Sequence, residues 1–217
     1  MAGATLHQRD MSAIEVFADV SCPFTHVGLR RLVDLRTQLG QPDAHLIVRA
    51  WPLEIVNGQP LDADFIAEEV DDIREQVAPD LFTGFTRSAF PASTLPALAL
   101  AAAAYHRDLA TGEQVSLTLR DLLFEQGVDI ADLDVLHGLA ADHELEFDPT
   151  DTRTVLADHA EGVERGVIGS PHSFPPAGGL FCPALDVHRD ADGRLQVHVD
   201  PAGFEAFLTA CFGTPAT

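Results

Sequence analysis

One tetrapeptide, Cys22-Pro23-Phe24-Thr25, places a thiol, a proline, an aromatic ring and a hydroxyl where a strand-like run gives way to a helical one. Before it, Ile14-Glu15-Val16-Phe17-Ala18 reads as a strand. After it, Leu29, Leu32, Val33, Leu35 and Leu39 recur at helical spacing until Gly40 and Pro42 stop the run. Cys22 is therefore expected at a helix N-terminus. Unpaired N–H groups and the positive end of the dipole favour an anion there, and thiol pKa values at such positions fall from about 8.5 to roughly 3.5–7.5. The plainer alternative is an inert, buried cysteine capping the helix. Thr25 can offer the sulfur a hydrogen bond, but its hydroxyl cannot attack a mixed disulfide as a second thiol would. Single-thiol chemistry remains open: Cys22 forms a mixed disulfide that a second, small thiol resolves. His26 lies one helical turn beyond Cys22 and can touch the same region, yet the pair matches no zinc-ligand spacing, so no metal is expected.

Two other thiols complete the inventory. Cys211 falls in the stripe Phe204, Phe207, Leu208, Cys211, Phe212, at i, i+3, i+4, i+7 and i+8, and reads as structural. Cys182 sits in a loop rich in Pro and Gly. It can replace the missing partner of Cys22 only if that loop folds back, because a disulfide needs alpha carbons within about 7 Å.

Composition removes several classes of function. The 217 residues carry 34 acidic and 13 basic side chains, a formal charge of −21, which repels nucleic acid and anionic membranes. Every basic residue is arginine, so Schiff-base and P-loop chemistry, which need lysine, are excluded. No apolar run reaches the length of a membrane span, and the polar start lacks a signal core, so a cytoplasmic location with reduced thiols is expected. Residues 1–10 read as a loose extension, since Met11 offers a second start just before the first strand.

Strands are expected at about 13–19 and 45–52 with the 23–39 helix between them, a pattern implying a parallel pair. Five helices follow, at 62–77, 93–110, 114–125, 132–145 and 149–166, punctuated by Thr111-Gly112, Gln126-Gly127 and Phe147-Asp148-Pro149. Strand signals return in Val167 to Phe174 and in a hairpin from Ala184 to Val199 around Asp190-Ala191-Asp192-Gly193. Pro201 opens a last helix.

The stretches Ile14 to Phe24, Leu122 to Ile130 and Gly166-Val167-Ile168-Gly169-Ser170-Pro171 together resemble the DsbA-like branch of the thioredoxin fold, in its cytoplasmic members with a helical insertion. The resemblance implies an α/β, thioredoxin-like core at 11–61 and 166–217, with an all-helical domain at 62–165 inserted between the second and third core strands. It also implies a cis peptide before Pro171, packed beside Cys22, with Ser170 and His172 brought next to the thiol. Cys22, Thr25 and Pro171 are then the expected catalytic set. Pro23, Phe24, His26, Ser170 and His172 are the expected substrate contacts, and Cys182 is a candidate resolving thiol. A histidine near a thiol can act as base or counter-ion; His172 is equally readable as a polar group at a strand start.

The leading expectation is a DsbA-like oxidoreductase or thiol transferase with a single active-site cysteine. It binds no cofactor tightly and uses a low-molecular-weight thiol as co-substrate. Its partners are a small-molecule thiol or a thiol-bearing substrate, not nucleic acid or membrane. The alternative is an enzyme like kappa-class glutathione transferase or 2-hydroxychromene-2-carboxylate isomerase, which activates a bound thiol through a hydroxyl such as Ser21 or Thr25. A thioredoxin-fold binding protein without turnover is the third.

Overall fold

A computed structural model describes residues 13–38, 40–41, 44–175, 179–182, 185–199 and 201–212. The expected extension at 1–10 lies outside the described residues. Strand β1 (Ala13–Ala18) leads through the Cys22 turn into α1 (Pro23–Gln38) and back to β2 (His45–Ala50), which pairs with β1 in parallel from Ala13 opposite His45 to Ala18 opposite Ala50. The chain then runs through helices only: α2 (Leu53–Val56), α3 (Ala63–Gln76), a 3-10 turn at Arg87–Ala89, α4 (Leu95–Arg107), α5 (Leu109–Gln126), α6 (Leu133–Asp142) and α7 (Arg153–Glu164). It returns as β3 (His172–Phe174), antiparallel to β1, and β4 (Leu180–Phe181), antiparallel to β3, so the sheet order is β2-β1-β3-β4. This is the thioredoxin-like α/β core with its helical insertion after the second strand.

Helix α5 differs from the expected pair of helices at 93–110 and 114–125. The break falls at Asp108, whose carboxylate caps α5 by accepting from Thr111 N at 2.8 Å. Thr111-Gly112 lies inside α5, because Gly112 is there for packing. A Cβ on it would come within 2.1 Å of the Tyr105 ring, so only glycine lets α4 and α5 approach.

The two faces of the sheet are covered differently. Ile14, Val16, Ala18, Leu46 and Val48 pack under Leu29 and Leu32 of α1, joined by Phe207 of helix α8 (Pro201–Phe212). The intervening Phe17 turns to the other face with Trp51 and Val167, as strand alternation requires. There α7 comes close at Gly162, where a Cβ would lie 2.7 Å from the Trp51 ring. The hairpin of β5 (Leu185–Arg189) and β6 (Leu195–Val199) forms a separate two-stranded sheet. It docks on α3 through Gln76, whose amide donates to Leu195 O and accepts from Val197 N. Among the described residues no helix is long and apolar enough to cross a membrane.

Candidate active site

Two segments meet at Cys22: the turn from β1 into α1, and the chain entering β3. The Ser170–Pro171 peptide bond is cis. The Cys22 thiol donates to Ser170 O at 3.1 Å, the Ser170 and Thr25 hydroxyls meet at 2.9 Å, and Asp19 N donates to Ser170 Oγ at 3.0 Å. Cys22, Thr25 and Ser170 thus form one hydrogen-bonded group, with the ring of Pro171 against α1 near Gly28. Pro23 is buried in the first turn of α1, and Phe24 packs, partly buried, on the cluster shared with the insertion.

The turn is braced from below by two residues whose roles depend on partners far away in the chain. The Asp19 carboxylate, 1 % exposed, accepts from Ser21 N and Ser21 Oγ at 2.8 Å, from Leu53 N at 2.7 Å and from Thr94 Oγ1 at 3.2 Å. Burial pushes its pKa up while these donors pull it down, and burial prevails. Arg120 of α5 is equally buried; its guanidinium donates to Ser116 O, Ser116 Oγ and, at 3.2 Å, to Asp19 O. Cys22 N reaches the same Asp19 oxygen at 3.5 Å, so a cation stands directly behind the active-site turn. Its Nε has no partner among the described residues.

Cys22 itself departs from the expected low-pKa thiolate. It is only 4 % exposed, and burial pushes its thiol up; bonds with Ser170 and Thr25 pull the other way, and the charge of Glu69 adds to the rise. Glu69, buried on α3, is itself pushed up to about 7 by burial, although Arg189 of the hairpin pairs with it at 3.2 Å and pulls it down. Desolvation is the largest of these causes.

Two expected substrate contacts are otherwise engaged. His26, 1 % exposed, meets Glu125 at 2.7 Å through Nε2 and packs between the rings of Phe82 and Phe124, so it fastens α1 to the insertion. His172 does not face Cys22. Alternation along β3 directs Pro171 and Ser173 toward α1 and His172 toward the opposite face, where it stacks on Phe174 and accepts from Ile168 N. The Ser21 and Thr25 hydroxyls are also taken, by Asp19 and Ser170.

Cys182 follows β4 directly, and its N–H donates to Pro171 O at 2.9 Å. Cys211 is partly buried against the cluster under α1, and Cys22, Cys182 and Cys211 are all free thiols. Among the described residues no group of side chains is arranged to hold a metal.

The sequence profile of the DSBA-like thioredoxin domain matches residues 13–174. The chain belongs to that family. Solved structures share this DSBA-like fold at low identity. A candidate protein disulfide isomerase from Nitrosomonas europaea is 16% identical with a TM-score of 0.58, over 91% of this chain and 94% of that one. The cytosolic disulfide reductase DsbM from Pseudomonas aeruginosa is 16% identical at 0.54, over 90% and 96%. A 2-hydroxychromene-2-carboxylate isomerase is 13% identical at 0.51, over 78% and 88%. No curated protein matches the chain in sequence.

Proposed function

We propose that the protein is a thiol–disulfide oxidoreductase in which Cys22 is the nucleophile and the reducing direction is favoured. The observation that carries this reading is the Cys22 thiol held 3.1 Å from Ser170 O in the turn before α1. Membership of the DSBA-like family supports it. The direction follows from the protonation state. An oxidant of this fold gains its power from a stabilised thiolate, which favours the reduced form; a desolvated thiol lacks that stabilisation and gives up electrons more readily.

In this mechanism Cys22 gives its proton to solvent, and the small thiolate fraction present at neutral pH is the reactive species. The thiolate attacks one substrate sulfur, forms a mixed disulfide and releases the other sulfur as a thiol. Thr25 and Ser170 hold the turn in place; neither hydroxyl carries electrons. A low-molecular-weight thiol serves as co-substrate and restores Cys22. Such a cycle suits a cytoplasmic location, where small thiols are abundant and reduced.

Reduction of bis(2-hydroxyethyl) disulfide, coupled to glutathione consumption, tests the proposal. Turnover by the wild type that disappears in Cys22→Ala supports it, and equal turnover in the two proteins refutes it. The isomerase-like alternative requires a hydroxyl free to activate a bound thiol. Both nearby hydroxyls are engaged, which weighs against that reading.

A further inference from the structure

We propose that Cys182 is the second thiol of the reaction: it resolves the mixed disulfide on Cys22, closing a Cys22–Cys182 disulfide across the Ser170–Pro171 dipeptide. The inference rests on Cys22 being the nucleophile.

The register of the sheet supplies the geometry. His172 pairs with Phe181 and Ser173 with Leu180, so the next residues outward, Pro171 and Cys182, stand opposite each other. The bond from Cys182 N to Pro171 O, 2.9 Å, locks that placement. Cys182 lies just past the strand, with a φ of 43°, and its side chain is placed by the cavity it lines. That small apolar cavity, shared with Gly28, Leu29, Leu32, Pro171 and Ser173, is on the side toward α1. The sulfur of Cys22 lies 3.1 Å from the neighbouring carbonyl, Ser170 O. The two cysteines are therefore fastened to consecutive carbonyls of one dipeptide, one by its thiol and the other by its backbone.

Connectivity gives the steps an order, since Cys182 can resolve only a mixed disulfide already formed on Cys22. Burial first, and the charge of a Cys22 thiolate second, push the Cys182 thiol up to about 12, so the free protein keeps Cys182 protonated. In the mixed disulfide Cys22 can carry no charge, and burial alone opposes ionisation of Cys182. Cys182 gives its proton to solvent and attacks the Cys22 sulfur. The Cys22–substrate bond breaks, the Cys22–Cys182 bond forms, and the departing substrate sulfur takes up a proton. The substrate disulfide has gained two electrons and two protons, and the two protein thiols have lost them. Two equivalents of a low-molecular-weight thiol return the protein to its starting state by two exchange steps.

The experiment treats the full-length reduced protein with bis(2-hydroxyethyl) disulfide without other thiols, and follows it by intact-mass and peptide-mapping mass spectrometry. Wild type and Cys211→Ser should both end with no adduct on Cys22 or Cys182 and with these two in one linked peptide, and Cys211→Ser should be lighter by two hydrogens. Cys182→Ser and Cys182→Ala should each retain one mercaptoethanol adduct on Cys22. In Cys182→Ser, adding Thr25→Cys should clear that adduct again, which separates a missing thiol from a damaged fold. A wild-type adduct on Cys22 as persistent as that of Cys182→Ser overturns this inference alone. Absence of any Cys22 adduct in Cys182→Ser overturns the assignment of Cys22 as well.

Discussion

The thiol of Cys22 donates to the carbonyl oxygen of Ser170 at 3.1 Å, so the sulfur is held by the residue that precedes Pro171. A thiol spends its only proton in that bond, and the site around it is dry. The resting state is accordingly a protonated, desolvated cysteine, with ionisable groups placed one layer back in Asp19, Arg120 and Glu69.

The pH dependence of Cys22 follows from that state. Its pKa lies above the ordinary 9.0, so the thiolate fraction increases throughout the neutral and mildly alkaline range. The rate of mixed-disulfide formation at Cys22, measured with Cys211→Ser to remove the more accessible thiol, should climb without a plateau through pH 9. A plateau below pH 7 would mean a stabilised thiolate.

Glu69 should restrain Cys22. Its charge disfavours the thiolate, and it ionises at about 7, so the restraint acts only above that pH. Glu69→Gln should speed modification of Cys22 at pH 8 by about threefold, the equivalent of half a pKa unit. At pH 6, where Glu69 is already neutral, the two proteins should react alike.

Arg120 should act in the opposite sense. It reaches the Asp19 carbonyl that Cys22 N also approaches, and the acceptors it meets among the described residues are uncharged. Removing this cation in Arg120→Met should slow Cys22 modification at pH 8 by about tenfold, one pKa unit. Thermal unfolding of the same variant separates this effect from a loss of fold.

Much of this arrangement was readable in advance because it is local. The strand, the Cys22 turn, the helix and the hairpin each announce themselves within a short window of periodicity or turn residues. Asp19, Arg120 and Glu69 do not, since each matters through contacts across long stretches of chain, such as Arg120 to Asp19 over 101 residues. The family resemblance implies His172 beside the thiol, but a one-residue step in a strand reverses the face. The two residues of β4 are too few to show alternation, which is why Cys182 read as a loop residue. The low-pKa expectation for Cys22 rested on the helix end, and the burial that overrides it comes from tertiary packing.

Acid should loosen the insertion from α1 through His26 and Glu125. Burial lowers the His26 pKa, so the stability it contributes is present above its ordinary 6.5 and is lost as pH falls below that value. Burial raises Glu125, but bonds from His26, Phe82 and Thr83 outweigh it and hold the carboxyl at about 2. Its contribution is present above the ordinary 4.5 and is lost as pH falls toward about 2. Unfolding midpoints in urea should drop in two stages on acidification. Glu125→Gln should cost about 1–2 kcal/mol at pH 7 and flatten the lower stage.

The most direct test of Cys22 as the nucleophile is the site of the first covalent adduct. Reduced protein is quenched by acid at short times after mixing with bis(2-hydroxyethyl) disulfide at pH 8, and the adduct is mapped to its cysteine. The account predicts that the first adduct lies on Cys22 and that Cys22→Ala abolishes turnover. A first adduct on Cys211 or Cys182, with turnover intact in Cys22→Ala, would contradict it.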